Sequence, residues 1–143
     1  MSGHSTDNSA RSAADILREA STIAVVGASR HPEKEAHAVP AQILRHGWQV
    51  IPVNPNVSEI FGVTCYPSLA AVPVPIDVVN VFRPSPDAPE VAREAAAIGA
   101  KALWLQQDIV SEEARAIAEA AGMDYVEDTC IAVVRAVNAL SKS

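Results

Sequence analysis

Short β-branched runs alternate with alanine-rich stretches of helical period from one end of this chain to the other. That rhythm specifies β-α-β units, because parallel strands need a long crossover and a helix is the usual one. The first run, Thr22-Ile23-Ala24-Val25-Val26, suits a strand covered on both faces and stops at Gly27. The expected fold is one α/β domain over residues 12–143, a doubly wound parallel sheet with helices on both faces.

The other elements follow from their punctuation. A helix is expected over Ser12 to Ala20, with Ser12 as its cap, and a second over about Ala36 to His46, ended by Gly47. Pro40 falls inside the second, so either the regular helix begins near Val39 or it is distorted there. Gln49 to Val53 reads as the second strand, with Pro52 lacking a ladder donor and so hinting at an irregular or less central position. Asn54-Pro55-Asn56 is a turn by composition. A short third strand is placed around Val63 to Tyr66, after a Phe61-Gly62 turn, and a one- or two-turn helix over Ser68 to Val72, capped by Ser68. The strongest strand is Ile76 to Phe82, cut off by Arg83-Pro84-Ser85-Pro86. Then come a helix over Ala88 to Ile98 ended by Gly99, a strand over Lys101 to Leu105, and a Ser111-capped helix to Ala121 closed by Gly122. Glu112 and Glu113 complement that helix's dipole. Asp124 to Glu127 is a last short strand and Ile131 to Leu140 a final helix, all strands sharing one sheet.

Composition removes several functions. With 17 acidic residues against 11 basic and a net charge of −6, the chain offers no broad basic field for DNA or RNA, so an anionic small ligand needs a local site. Cys65 and Cys130 make neither a disulfide framework nor a zinc motif, and no metal constellation appears, so a reducing cytoplasm is the simplest home. Residues 1–11, rich in Ser, Thr and Asn and without an apolar signal core, read as a disordered tail. No apolar run approaches the roughly 20 residues of a membrane span, and a soluble protein without membrane contact is expected.

Ligands of doubly wound sheets sit beyond the carboxyl ends of the strands, where the winding reverses. The loop there is Gly27-Ala28-Ser29-Arg30-His31-Pro32. Its small residues and backbone amides suit a phosphate cradle, and they suit a ligand-free tight turn equally well. If the Ile76 strand lies beside the first, Arg83 emerges at the same edge, and Arg30 and Arg83 flank one anionic pocket. The dinucleotide fingerprint is not met: Ser29 and Pro32 stand at two of its positions, and Asn54 stands where a ribose-binding acid belongs. His37 has no evident triad partner and reads as a polar residue of a helix start. Cys130 begins the last helix, which favours a reactive thiol, although a buried inert one is the simpler reading; Cys65 reads as inert and Trp104 as core. Gln106 and Gln107 suit either an amide-containing ligand or a plain polar loop.

Six blocks in order carry a resemblance: Ile23 to Ser29, Ala36 to Pro40, Pro52 to Pro55, Val81 to Pro84, Leu103 to Gln106, and Asp128 to Cys130. Together, over about Ser21 to Leu140, the chain resembles the small bacterial CoA-binding proteins often called YccU-like. The resemblance implies a Rossmann-like domain similar to the nucleotide-side domain of the succinyl-CoA synthetase α subunit and of ADP-forming acyl-CoA synthetases. It implies coenzyme A as the ligand, with Gly27, Ala28, Ser29 and Arg30 at its phosphates and Val53, Asn54 and Pro55 bordering adenine and ribose. Phe82, Arg83 and Pro84 would line the opposite wall, and Gln106 and Gln107 would lie towards the pantetheine. Relatives commonly carry a Glu-His-type pair past the cysteine, where this chain reads Ile131-Ala132-Val133-Val134-Arg135. The synthetases owe their chemistry to a phosphorylated histidine and grasp domains outside this module. The expectation is a stand-alone CoA or acyl-CoA binder; the alternatives are a subunit or minimal form of an acyl-CoA synthetase or transferase, and an NAD(P)-binding protein.

Overall fold

The computed structural model describes residues 11–142. The expected tail lies outside them except for Arg11, whose guanidinium pairs with Glu19 and reaches Asp124 at 3.8 Å. The helices are α1 (Ala13–Glu19), α2 (Glu35–Arg45), α3 (Ala88–Ala97), α4 (Glu112–Ala120) and α5 (Ile131–Val137). The strands are β1 (Thr22–Val26), β2 (Gln49–Val53), β3 (Glu59–Ile60), β4 (Val63–Thr64), β5 (Val78–Val81), β6 (Ala102–Leu105) and β7 (Asp124–Val126). Two hydroxyl caps form as read, Ser12 Oγ accepting from the Asp15 amide and Ser111 Oγ from that of Ala114.

The main sheet has five parallel strands in the order β2-β1-β5-β6-β7. Numbered among themselves these run 2-1-3-4-5, a doubly wound order whose winding reverses between β1 and β5. Both faces are covered, so each strand splits its apolar residues between two cores. Ile23, Val25, Val78 and Trp104 pack with Leu17, Ile43, Trp48 and Ile131 from α1, α2, the β2 approach and α5. Ala24, Val79, Val81, Leu103 and Leu105 pack with Val91, Ala92, Ala95, Ala114 and Ala118 from α3 and α4. The two large indoles keep their N–H groups satisfied in the interior, Trp48 donating to Leu17 O (3.1 Å) and Trp104 to Thr129 O (2.8 Å).

Pro52 sits where its chemistry allows. β2 is an edge strand, and its pairing with β1 is marked by Gln49 N–H donating to Ser21 O and Val53 O accepting from Gly27 N–H. Pro52 falls on the opposite phase, facing outward, where its missing donor costs nothing and its carbonyl takes the Tyr66 amide at 3.0 Å.

Three expectations need correction. The stretch from Val63 to Tyr66 is not a strand of the main sheet: β3 and β4 form a separate antiparallel hairpin, turning at Phe61 (φ 62°) and Gly62 (φ 74°), and only Tyr66 bridges to Val53. Two-residue strands are too short to cross a sheet, so they pair with each other. The Ser68 segment is a 3₁₀ turn, Leu69–Ala71, and Ser68 makes no side-chain cap. The strand expected from Ile76 starts at Val78, because Asp77 turns its carboxylate back to the amides of Ser21 (2.8 Å) and Thr22 (3.0 Å).

Candidate functional site

The loop after β1 leaves the sheet at the switch point and is held on three sides. At its root Gly27 has φ 89° and donates its N–H to Val53 O, while Phe82 N–H donates to Val26 O at 2.9 Å. A Cβ on Gly27 would lie 2.9 Å from Phe82 O and 3.1 Å from Arg83 Cδ. The β1 and β5 ends thus approach as closely as backbone can.

Asn54 braces the loop from β2. Its Nδ2 donates to Ala28 O (2.9 Å) and its Oδ1 accepts from the Asn56 amide (2.8 Å), so both ends of the carboxamide are engaged. This is a structural task for the residue that occupies the place of a ribose-binding acid.

The third hold comes from α2 and explains Pro40. The helix runs straight through that proline, which cannot donate to the carbonyl of Ala36 four residues earlier. That carbonyl instead accepts the Ser29 amide at 3.1 Å. The neighbouring His37 Nδ1 lies 2.7 Å from Ser29 O. A carbonyl only accepts, so Nδ1 carries the proton. The His37 ring also contacts that of Phe61 at the hairpin tip, with centroids 4.7 Å apart. Ser29 Oγ accepts from the His31 amide at 3.0 Å. Of the loop amides, those of Gly27, Ser29 and His31 are therefore consumed internally, and among the described residues those of Ala28 and Arg30 remain without an acceptor.

An open cleft of about 250 Å³ lies over this loop, lined by Gly27, Ala28, Ser29, Arg30, His31, Asn54, Asn56 and Val57. A second, of about 410 Å³, shares Asn54, Asn56 and Val57 with it and continues past Pro55 to Cys65 and Pro67. Arg30 is exposed at the first cleft. Arg83 stands beside it with its stem against Gly27, but its guanidinium turns to Asp87 at 2.9 Å and does not line the cleft. Val53 is buried beneath the loop, Phe82 is half-buried, and Pro84 is exposed where it leads into a 3₁₀ turn.

A model of the CoA binding domain matches residues 21–136. The chain belongs to the CoA binding domain family. YneT of Bacillus subtilis, an uncharacterised protein, is 41% identical over 86% of this chain and 91% of its own. A hypothetical protein from Pyrococcus horikoshii has the same fold, with a TM-score of 0.85 and 35% identity over 90% of this chain and 93% of that one. The ADP-forming acetate–CoA ligase II of Archaeoglobus fulgidus is 33% identical over 68% of this chain, which spans 15% of the ligase.

On the far side of the switch, this CoA-binding domain holds a buried polar group. Gln106 is 3% exposed and Asn80, in the middle of β5, 1%. Gln106 Oε1 accepts from Ile131 N–H (3.2 Å) and from Asn80 Nδ2 (3.3 Å), whereas its Nε2 has no partner among the described residues. Gln107 is exposed in the turn that follows. Next to it Asp108 (φ 73°) donates its amide to Asp128 Oδ1 (2.7 Å), and Asp128 (φ 53°) donates its own to Ile109 O, which ties the β6 and β7 ends together. Cys130 is half-buried; Cys65 is buried, and that burial pushes its thiol pKa up although the thiol donates to Asn54 O.

A more enclosed cleft of about 180 Å³ lies at the amino ends of the strands, lined by Arg11, Glu19, Asp77, Lys101 and Asp124 among others. Its charges answer one another, through Arg11–Glu19 and Lys101–Asp77 pairs. At the carboxyl end the exposed Arg30 has no carboxylate partner among the described residues. Among the described residues no group of His, Cys, Asp and Glu could hold a metal, and no helix is long and apolar enough to cross a membrane.

The structure places Arg30 at the cleft over the loop after β1, whereas Arg83, expected to flank the same pocket, is drawn away by Asp87. Sequence reasoning missed the bracing by Asn54, whose signal was the Asn-Pro-Asn turn, and the use of the Ser29 amide, whose signal was the interior Pro40.

Proposed function

We propose that this chain binds coenzyme A or an acyl-CoA as a stand-alone module, at the carboxyl end of the sheet. The observation that carries the reading is the family match over residues 21–136, taken with a close-approach glycine at the switch point inside that span. The residues fit the ligand. CoA carries several negative charges on its pyrophosphate and ribose phosphate, and the loop offers the free amide of the exposed Arg30, the room left by Gly27, and the small Ser29. The Arg30 guanidinium matches phosphate geometry, and Arg83 joins it by turning from Asp87, a pair that is half-exposed and weakly held. Val53, Asn54 and Pro55 border the adenine and ribose, Phe82 and Pro84 form the opposite wall, and Gln106 and Gln107 face the pantetheine. Isothermal titration of the reduced protein with CoA, acetyl-CoA and NAD tests this. Saturable CoA binding that NAD does not reproduce is expected, and absence of CoA binding refutes it.

The kinship with acetate–CoA ligases favours a second reading, in which the module serves an ADP-forming acyl-CoA synthetase. The neutral Asn54, with both ends of its amide engaged, speaks against NAD(P). A cytoplasmic location accords with two free cysteines.

A further inference from the structure

We propose that His37 is a positioning residue for anion binding: its ring turns the Ser29–Arg30 peptide so that the Arg30 amide is presented to a phosphate of the ligand, a reading that rests on CoA being that ligand. His37 Nδ1–H donates to Ser29 O at 2.7 Å, the short end of the range for such bonds. No peptide among the described residues is cis, and in a planar trans peptide the C=O and N–H point in opposite directions. With Ser29 O turned to α2, the N–H of the same unit, which is that of Arg30, points away from the helix. It has no acceptor among the described residues, and Arg30 is exposed and lines the cleft over the loop.

The neighbouring units are spent differently. Ala28 O accepts from Asn54 Nδ2 (2.9 Å) while the Ser29 N–H of the same unit donates to Ala36 O (3.1 Å), so that peptide is used at both ends. The His31 N–H of the next unit donates to Ser29 Oγ (3.0 Å). Of these three units only Ser29–Arg30 has its oxygen engaged and its hydrogen open. A bond accepted at the oxygen also polarises the unit, which strengthens the open N–H as a donor.

A second observation concerns what holds the ring. The imidazole lies 4.7 Å from the Phe61 ring, centroid to centroid, and tilted 51° to it. Phe61 keeps a φ of 62° at the hairpin tip, a conformation that is costly for a bulky residue. The contact braces the imidazole in the orientation that aims Nδ1 at Ser29 O. Tying α2 to the loop does not need this arrangement, because the Ser29 N–H to Ala36 O bond already does so. What His37 adds is a donor on the opposite face of the one peptide whose amide is free and exposed.

The test compares the parent chain with His37→Phe, which keeps a ring against Phe61 and loses the donor, and His37→Asn, whose Nδ2 restores a donor near the place of Nδ1. Each is followed by thermal unfolding, CoA titration, and the amide proton resonance of Arg30. His37→Phe is expected to bind CoA roughly tenfold more weakly, the size of one hydrogen bond to a charged group, and His37→Asn to recover most of that loss. Added CoA should move the Arg30 amide proton downfield in the parent and in His37→Asn, and leave it in place in His37→Phe. Parental affinity in His37→Phe, or no recovery in His37→Asn, overturns the proposal. The imidazole nitrogens of the parent give a check that needs no variant: with the ring neutral the proton must sit on Nδ1, and a ring protonated at Nε2 overturns the proposal. A parent that binds CoA without moving the Arg30 amide refutes the positioning role alone, whereas no CoA binding by the parent refutes the ligand.

Discussion

Replacing Gly27 by alanine tests the crevice at its tightest point. Two costs follow from the geometry. The φ of 89° puts an L-residue in the left-handed half of the map, at about 1–2 kcal/mol. The added Cβ would also stand 2.9 Å from Phe82 O, a backbone atom in a chain segment anchored by Phe82 N–H to Val26 O. It cannot swing aside like a side chain, and overpacking of this kind costs about 1–3 kcal/mol. The total, about 2–5 kcal/mol, should lower Tm by about 7–17 °C in a domain of this length. Gly99→Ala is the control, because Gly99 has φ 73° but its Cβ would meet nothing within 4 Å. That variant carries only the backbone cost, so the difference between the two isolates the close approach. The assay is thermal and urea unfolding of both variants, followed by CoA titration of the folded Gly27→Ala protein at low temperature, where weakened binding is expected. If the two variants unfold together, the β1 and β5 ends do not approach as described, and the argument for a crevice shaped by backbone contact fails.

Other perturbations follow from the same contacts. Asn54→Ala leaves Ala28 O, in a buried residue, without its donor; a loss of about 1–3 kcal/mol is expected together with weaker CoA binding, and unchanged urea midpoint and affinity would show that Asn54 does not brace the loop. Arg30→Glu removes one charge-assisted contact and adds repulsion, so Kd for CoA should rise roughly ten- to hundredfold while Tm stays within a few degrees; an unchanged Kd sinks the phosphate assignment. For Asp77, burial pushes the carboxyl pKa up, but the Ser21 and Thr22 amides and Lys101 outweigh it and hold the group below its usual range. A depressed folded-state pKa contributes stability that is complete above the unfolded carboxyl pKa of about 3.9 and lost as pH falls through the lower folded value. Asp77→Asn should therefore cost about 1 kcal/mol at pH 7 and flatten the acid limb of stability against pH below about 4; parallel acid limbs in parent and variant would contradict this.

How much of this was legible follows from how local each cause is. The main strands and helices are written in short-range patterns: β-branched runs, hydroxyl caps at Ser12 and Ser111, and glycines closing helices. Even the place of β2 could be inferred, since a proline without a donor belongs at an edge. The β3–β4 hairpin was not legible, because Ser58-Glu59-Ile60 has no β-branched run to announce a partner, and the residue at its tip, Phe61, takes a positive φ that phenylalanine does not signal. Bonds between distant elements were hidden as well: Asn54 to Ala28 and His37 to Ser29 depend on where β2 and α2 pack against the β1 loop.

Pro40 shows why the local anomalies were the informative ones. By propensity alone, proline in the interior of α2 is a fault worth about 3 kcal/mol. In the folded chain the same residue leaves Ala36 O open, and the Ser29 amide takes it at 3.1 Å. One conflict with the helix rules thus supplies an acceptor that a regular helix would have kept for itself, and that acceptor fixes the loop at the switch point. A sequence consistent at every other level breaks its own rule next to the site, and this is where an argument about function should look. The loop is held by its bonds to β2 and α2, so the cost of ordering it is met in folding.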